Sequence, residues 1–247
     1  MFTPAETPRG GVAQPRWGMG DAALGWLFAQ FLAAIAGALI LGAAGYGTDG
    51  KGVDDASMAL LAVLQMPLWI GFVATPVWAA RTKGYGIVED FRLRVAPSDV
   101  VGLPIGVAAQ LVMVPLVSYP FLRLTGTDMD KLSEPARELA QKARDGSTLG
   151  VVLFALVVVV GAPIVEELFF RGLVLRSIEK RWGSALGLIG SSVLFGVTHF
   201  QALQLPALTV AGVIFGALAL RSDRLGPSIA CHMAFNATTV VTLLWFT

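Results

Sequence analysis

Seven long apolar stretches, joined by short polar connections, organise this chain. They run over about 23–46, 56–80, 100–122, 149–172, 184–201, 203–220 and 227–246. About 20 consecutive apolar residues carry a helix across the hydrocarbon core of a bilayer, so each stretch predicts a membrane-spanning helix. Helices are the expected form because an unpaired backbone amide costs several kcal/mol in lipid. The first three stretches are nearly free of charge. The fourth begins LGVVLFALVVVVGAPIV and runs straight into two glutamates. The fifth and sixth are short and share a thin connector. Residues 1–20 are polar and contain Pro4, Pro8 and Pro15, which reads as a flexible tail before an uncleaved anchor. The one sizeable polar insertion is 123–148. Within it, EPARELAQKARDG predicts an amphipathic surface helix with Pro135 in its first turn and Gly146 near its end.

Composition sharpens the class. Of 247 residues, 55% are apolar and 14% charged, and the mean hydropathy is +0.70. Soluble domains carry roughly 25% charged residues, so an ordinary soluble enzyme, a disordered chain and a basic nucleic-acid binder are all excluded. Eighteen Lys and Arg nearly cancel 17 Asp and Glu, which leaves no global field for an acidic partner. The single cysteine, Cys231, allows neither an intrachain disulfide nor a CxxC site. The expected fold is all-α, a polytopic membrane bundle of about seven transmembrane helices. It reads as one integrated domain: the tail 1–20, N-terminal helices over 21–148 with the insertion 123–148, and a C-terminal set over 149–247.

Loop charge gives the expected orientation. With the N-terminus in the cytoplasm, Arg9, Arg16, Arg81, Lys83, Arg92, Arg94, Arg171, Arg176, Lys180, Arg181, Arg221 and Arg224 fall inside. Lys51, Arg123, Lys131, Arg137, Lys142 and Arg144 fall outside. Basic residues are thus twice as frequent on the cytoplasmic side, and the tail is expected there.

Ionisable groups at membrane depth cost roughly 2.5–3.5 kcal/mol each on insertion scales and are functional candidates by default. Three clusters stand out. In Glu166-Glu167-Leu168-Phe169-Phe170-Arg171, Glu167 and Arg171 are i and i+4 with the acid first, the favourable order for a pair. Glu166 lies about 100° around the helix, so one carboxylate is expected to be paired and the other free. In Phe195-Gly196-Val197-Thr198-His199 an imidazole ends the fifth stretch. In His232-Met233-Ala234-Phe235-Asn236 imidazole and amide share a helix face. Taken singly, each has a bland reading: glutamates capping a span at the headgroups, an interfacial histidine anchor, a polar contact between helices.

Together they are less bland. The chain has two histidines, and 33 residues separate Glu166 from His199 and His199 from His232. The first interval is centred on Trp182-Gly183, where a hairpin turn is expected, so equal arms put Glu166 and His199 at one depth. His232 is expected early in the last span, toward the other side. Only a tilted, broken or re-entrant helix would bring it in.

Over about 149–240 the order EExxxR, FxxxH, HxxxN resembles the CAAX-protease and bacteriocin-processing family of intramembrane proteases, which includes the CAAX prenyl endopeptidases. The resemblance implies a site inside the bilayer. Glu166 would be the general base that activates water, helped by His199. His232 and Asn236 would hold the oxyanion, while Glu167, Arg171 and Phe195 would support the site. It points to no cofactor and a metal-free reaction. One carboxylate and two imidazoles, Glu166, His199 and His232, also form a plausible zinc set with an open fourth position. The chain lacks HExxH. Gly18-Met19-Gly20-Asp21 matches GxGD, but no second aspartate lies within an apolar helix to pair with it. Expected partners are the lipid bilayer and a peptide or protein substrate, with no nucleic acid, in a bacterial plasma membrane. The competing expectation is a non-proteolytic immunity or partner-binding protein of the same family. A transporter ranks below both because no repeat links two halves.

Overall fold

A computed structural model describes residues 14–46, 52 and 55–246. Most of the expected tail, with Arg9, lies outside the described residues, and so does Lys51. Every described element is helical: α1 (Met19–Ala43), α2 (Met58–Lys83), α3 (Ile87–Phe91), α4 (Pro97–Thr125), α5 (Met129–Gly146), α6 (Thr148–Trp182), α7 (Ser184–Thr198), α8 (Leu205–Ser222) and α9 (Gly226–Trp245). Six of these, α1, α2, α4, α6, α8 and α9, are long and apolar enough to cross a membrane.

The fifth stretch forms a helix too short to do so. α7 has 15 residues, about 22 Å at 1.5 Å per residue, against a core of about 30 Å. It stops at Thr198, and the chain turns through Phe200 at φ 53°. Gln204 in that turn donates to the Leu132 carbonyl of α5 at 3.0 Å, so the end of the α7–α8 hairpin sits under the amphipathic helix. α5 begins earlier than the sequence suggested. Asp128 accepts from the Lys131 N–H at 3.0 Å and caps it, so Pro135 lies in its interior, not in its first turn.

Polar contacts sort the helix ends onto two sides. On one, Lys83 pairs with Asp21 at 2.5 Å, Arg224 with Asp99 at 2.7 Å and Arg176 with Asp223 at 3.1 Å. Lys180 donates to the Trp17 carbonyl at 2.5 Å. The starts of α1, α4 and α9 thereby meet the ends of α2, α6 and α8. Asp21 of the GxGD sequence is an end cap, accepting the Gly18 N–H at 2.9 Å and pairing with Lys83. On the other side Arg144 of α5 donates to the Leu243 carbonyl of α9 at 2.7 Å.

Phenylalanines fill the space between. Phe72 stacks on Phe169 with centroids 4.4 Å apart, Phe170 meets Phe195 edge-on at 5.4 Å, and Phe215 meets Phe235 at 5.8 Å. This apolar column joins α2, α6, α7, α8 and α9 around the glutamates. α4 closes the bundle against α9, where a Cβ on Gly106 would fall on the Cys231 carbonyl. Only a residue without a side chain allows that approach. Cys231 is itself fully buried packing.

Candidate functional site

α6 is not a regular α-helix through the site. Leu156–Gly161 and Glu167–Val174 are wound with i→i+5 hydrogen bonds, the wide π geometry that recurs at functional positions. Between them stand Pro163 and Glu166. Glu167 and Arg171 still meet, Oε1 to Nη1, at 2.8 Å, and both side chains are sealed from solvent. The other guanidinium nitrogen, Nη2, donates to the Gly212 carbonyl of α8 at 3.1 Å. The guanidinium lies 4.4 Å over the Phe195 ring and 5.3 Å from that of Phe215. A buried cation thus has a carboxylate, a carbonyl and two ring faces as partners, while its Nε has no hydrogen-bond acceptor among the described residues.

Glu167 is occupied on both oxygens. Ser228 Oγ donates to Oε2, and Oε1 also faces His232 Nδ1 at 2.9 Å. A carboxylate paired with arginine accepts here, so Nδ1 carries a proton. Nε2 is turned to Glu166, 3.8 Å from Oε2. Glu166 differs from its neighbour. Its side chain keeps 15% of its surface, against none for Glu167.

His199 and His232 both meet the Phe195 ring edge-on, with centroid distances of 4.8 and 5.6 Å respectively. His199 Nδ1 is 2.8 Å from the Phe195 carbonyl. A carbonyl can only accept, so a neutral His199 presents a bare Nε2. The hairpin turns at Gly183, φ 86°. Phe170 and Arg171 meet Phe195, so Glu166 and His199, each about one turn beyond that contact, stand at one level. Trp26 of α1 donates to Thr198 Oγ1 at 2.8 Å beside His199.

His232 corrects the expectation that it would lie toward the other side. Counting residues takes the start of α9 as the membrane surface, whereas its contacts put Ser228 and His232 beside Glu167. Glu167 meets Ser228 and His232, yet Asn236, one turn on, meets Val158, nine residues back along α6. The start of α9 is recessed. The Leu225 and Gly226 N–H groups donate to the Arg92 and Arg94 carbonyls at 2.9 and 3.2 Å, under which Ser228 is fully buried. This recess carries His232 to the glutamates.

Asn236 is placed by a backbone vacancy. The Ala162 N–H donates to the Val157 carbonyl, five residues back. The next donor in that register is residue 163, a proline without an N–H. The Val158 carbonyl it would have served accepts Asn236 Nδ2 instead, at 2.8 Å. One amide hydrogen is used there and the second is not.

Fit to a metal was tested on the donors themselves. Among the described residues no three His, Cys, Asp or Glu side chains are grouped as metal ligands would be. Glu167 is committed to Arg171 and Ser228. Both histidines use Nδ1 on protein acceptors and keep Nε2 clear, as zinc ligands would, so it is the lack of a common grouping, and not the donor chemistry, that counts against a metal here. Glu166, His199 and His232 as placed do not make a zinc set, and no step below passes through one.

Sequence reasoning missed Ser228 and Pro163. Both carried a readable signal: Ser228 is four residues before His232 on one helix face, and Pro163 is a proline inside an apolar span. The acceptor carbonyls of Gly212 and Val158 carried none, since every residue has one.

The fold and site define a class: a membrane-embedded helical protein with an open carboxylate and two imidazoles gathered in an apolar core. The comparisons with known proteins make it specific. The model of the Rce1-like family, described as type II CAAX prenyl endopeptidase Rce1-like, matches residues 148–238. An Escherichia coli relative named "Uncharacterized 24.3 kDa protein" is 32% identical over 156 residues, 61% of this chain and 70% of that one. A Bacillus subtilis (strain 168) relative named "Putative membrane peptidase YdiL" is 29% identical over 91 residues, 37% of each chain. No solved structure matches. The chain belongs to the Rce1-like CAAX protease family, whose membership supports a membrane-peptidase kind of function.

Proposed function

We propose that the protein is an intramembrane endopeptidase that hydrolyses a peptide bond of a membrane-associated peptide or protein. The observation that carries this is the split between the adjacent glutamates: Glu167 is closed by three partners, while Glu166 is left open beside His232. A carboxylate in an apolar site is suited to take a proton from water near neutral pH. Glu166 accepts that proton while the bare Nε2 of His199 accepts the water's other hydrogen and orients it. The hydroxyl oxygen bonds to the scissile carbonyl carbon. His232 in its protonated form, steadied by Glu167 at Nδ1, donates from Nε2 to the oxyanion, and the second amide hydrogen of Asn236 joins it. The proton held by Glu166 passes to the departing amine nitrogen as the C–N bond breaks, leaving a carboxylic acid and an amine. The mechanism has the form of a buried acid orienting an imidazole.

The protein works in this reading as an integral protein of a bacterial plasma membrane with its N-terminus cytoplasmic. The test compares new protein N-termini in membranes from cells carrying wild type or Glu166→Gln at equal levels. Termini confined to wild type identify the substrate and its cleavage site. Identical termini from two equally folded proteins overturn the peptidase reading in favour of partner binding. Cleavage that survives exhaustive chelation is expected from a water activated by Glu166 alone, and its loss with restoration by zinc overturns that mechanism.

A further inference from the structure

The wide turn before Glu166 and the position of Asn236 are one device. Ala162 donates to Val157 in the i→i+5 register, residue 163 has no hydrogen to give, and Asn236 fills the gap at Val158. Pro163 is buried, and Glu166 follows it by three residues. The Val158 carbonyl is therefore a fixed acceptor that no backbone donor in that register competes for.

We propose that Pro163 is a positioning residue for Asn236: by withholding its N–H it leaves the Val158 carbonyl to hold one amide hydrogen of Asn236, and so orients the other for the site. An amide free to rotate would have to be turned and held as the oxyanion develops. An amide pinned through one hydrogen presents N–H in a fixed direction, which is what a preorganised donor requires. The same bond locks α9 to α6 one turn beyond His232. The functional part rests on the peptidase reading; the orientation of the amide does not.

The substitution Pro163→Ala supplies the missing donor. Alanine is a better helix former than proline, so the variant is expected to unfold no earlier than wild type, while its new N–H competes for Val158 and releases Asn236. Asn236 is the only asparagine in the chain, so 15N-asparagine labelling in detergent micelles gives one side-chain amide pair. In wild type the two protons are expected to be widely split, one shifted by its bond to the carbonyl. In Pro163→Ala the splitting is expected to collapse, whereas Pro67→Ala, inside α2, leaves it unchanged. On a substrate found through its new terminus, kcat of Pro163→Ala is expected to fall by about ten- to a hundredfold with KM unchanged.

A wild-type pair that is already narrowly split overturns the proposal, whether or not Pro163→Ala folds. A wide pair that Pro163→Ala does not alter overturns it too. A pair that responds as expected in a protein that releases no new termini upholds the positioning and overturns the peptidase reading.

Discussion

Glu166 and Glu167 are covalent neighbours where α6 passes from α-helical to wide winding, and the bundle treats them differently. Glu167 has no exposed surface and answers to Arg171, Ser228 and His232. Glu166 keeps part of its surface, and His232 Nε2 stands 3.8 Å from it. A closed carboxylate is a fixed structural charge, because any change in its state strands a buried arginine. An open one can gain and lose a proton without breaking the frame. In the proposed reaction the bundle thus uses two acids, Glu167 to hold the imidazole and Glu166 to act.

The comparison predicts effects of different kinds. Arg171→Leu should be the largest in stability. Removing one partner of a buried pair costs about 3–5 kcal/mol, and here it also leaves Glu167 charged and the Gly212 carbonyl without its donor. Thermal unfolding in detergent should show it, with yield falling in step. Glu166→Gln should lower the rate of new-terminus release by about 10²- to 10⁴-fold with an unchanged melting temperature. Should Glu166→Gln also melt early, the split between the two acids is broken and both are structural.

Ser228→Ala sharpens the same comparison from the closed side. It removes one donor from a sealed carboxylate, an expected cost of about 1–3 kcal/mol. With only two histidines in the chain, 15N-histidine spectra of the variant and wild type report whether His232 keeps its proton on Nδ1. Loss of stability with an unmoved His232 signal would mean that Ser228 holds Glu167 without setting the imidazole.

Much of this arrangement was legible in the sequence. The spans could be read because lipid leaves no other home for long apolar runs, and the Glu167–Arg171 pair because helical geometry fixes i and i+4 as neighbours. The turn at Gly183 followed from equal arms. The depth of His232 was not legible: it depends on Arg92 and Arg94 covering the start of α9, which is a tertiary fact. The length of α7 was obscured because the apolar composition continues past Thr198, and the stop comes from Phe200 entering the left-handed region. Asn236 was legible as a same-face partner of His232. That its amide would be spent partly on Val158 follows only from the i→i+5 winding, and a hydrophobic pattern gives no sign of that winding.

The smallest expected effect lies on the open side. Trp26 reaches across from α1 to Thr198, the last residue of α7 and the neighbour of His199. Thr198 already donates to the Leu194 carbonyl at 2.7 Å, so the indole N–H is an added tie on a hydroxyl whose own hydrogen is placed. Trp26→Phe keeps a ring in the space and removes the donor. The expected cost is about 1 kcal/mol or less, below that of Ser228→Ala, because Thr198 loses an acceptor interaction but keeps its donor bond and is not sealed as Glu167 is. The consequence should fall on rate more than on stability, since loosening the end of α7 lets His199 drift from the level of Glu166 while leaving the Glu167 cluster untouched. Parallel melting curves and cleavage rates for Trp26→Phe and Ser228→Ala decide it. A Trp26→Phe protein that melts as early as Ser228→Ala would place the α1–α7 contact within the structural frame and move the boundary between the two acids' territories to include His199 on the closed side.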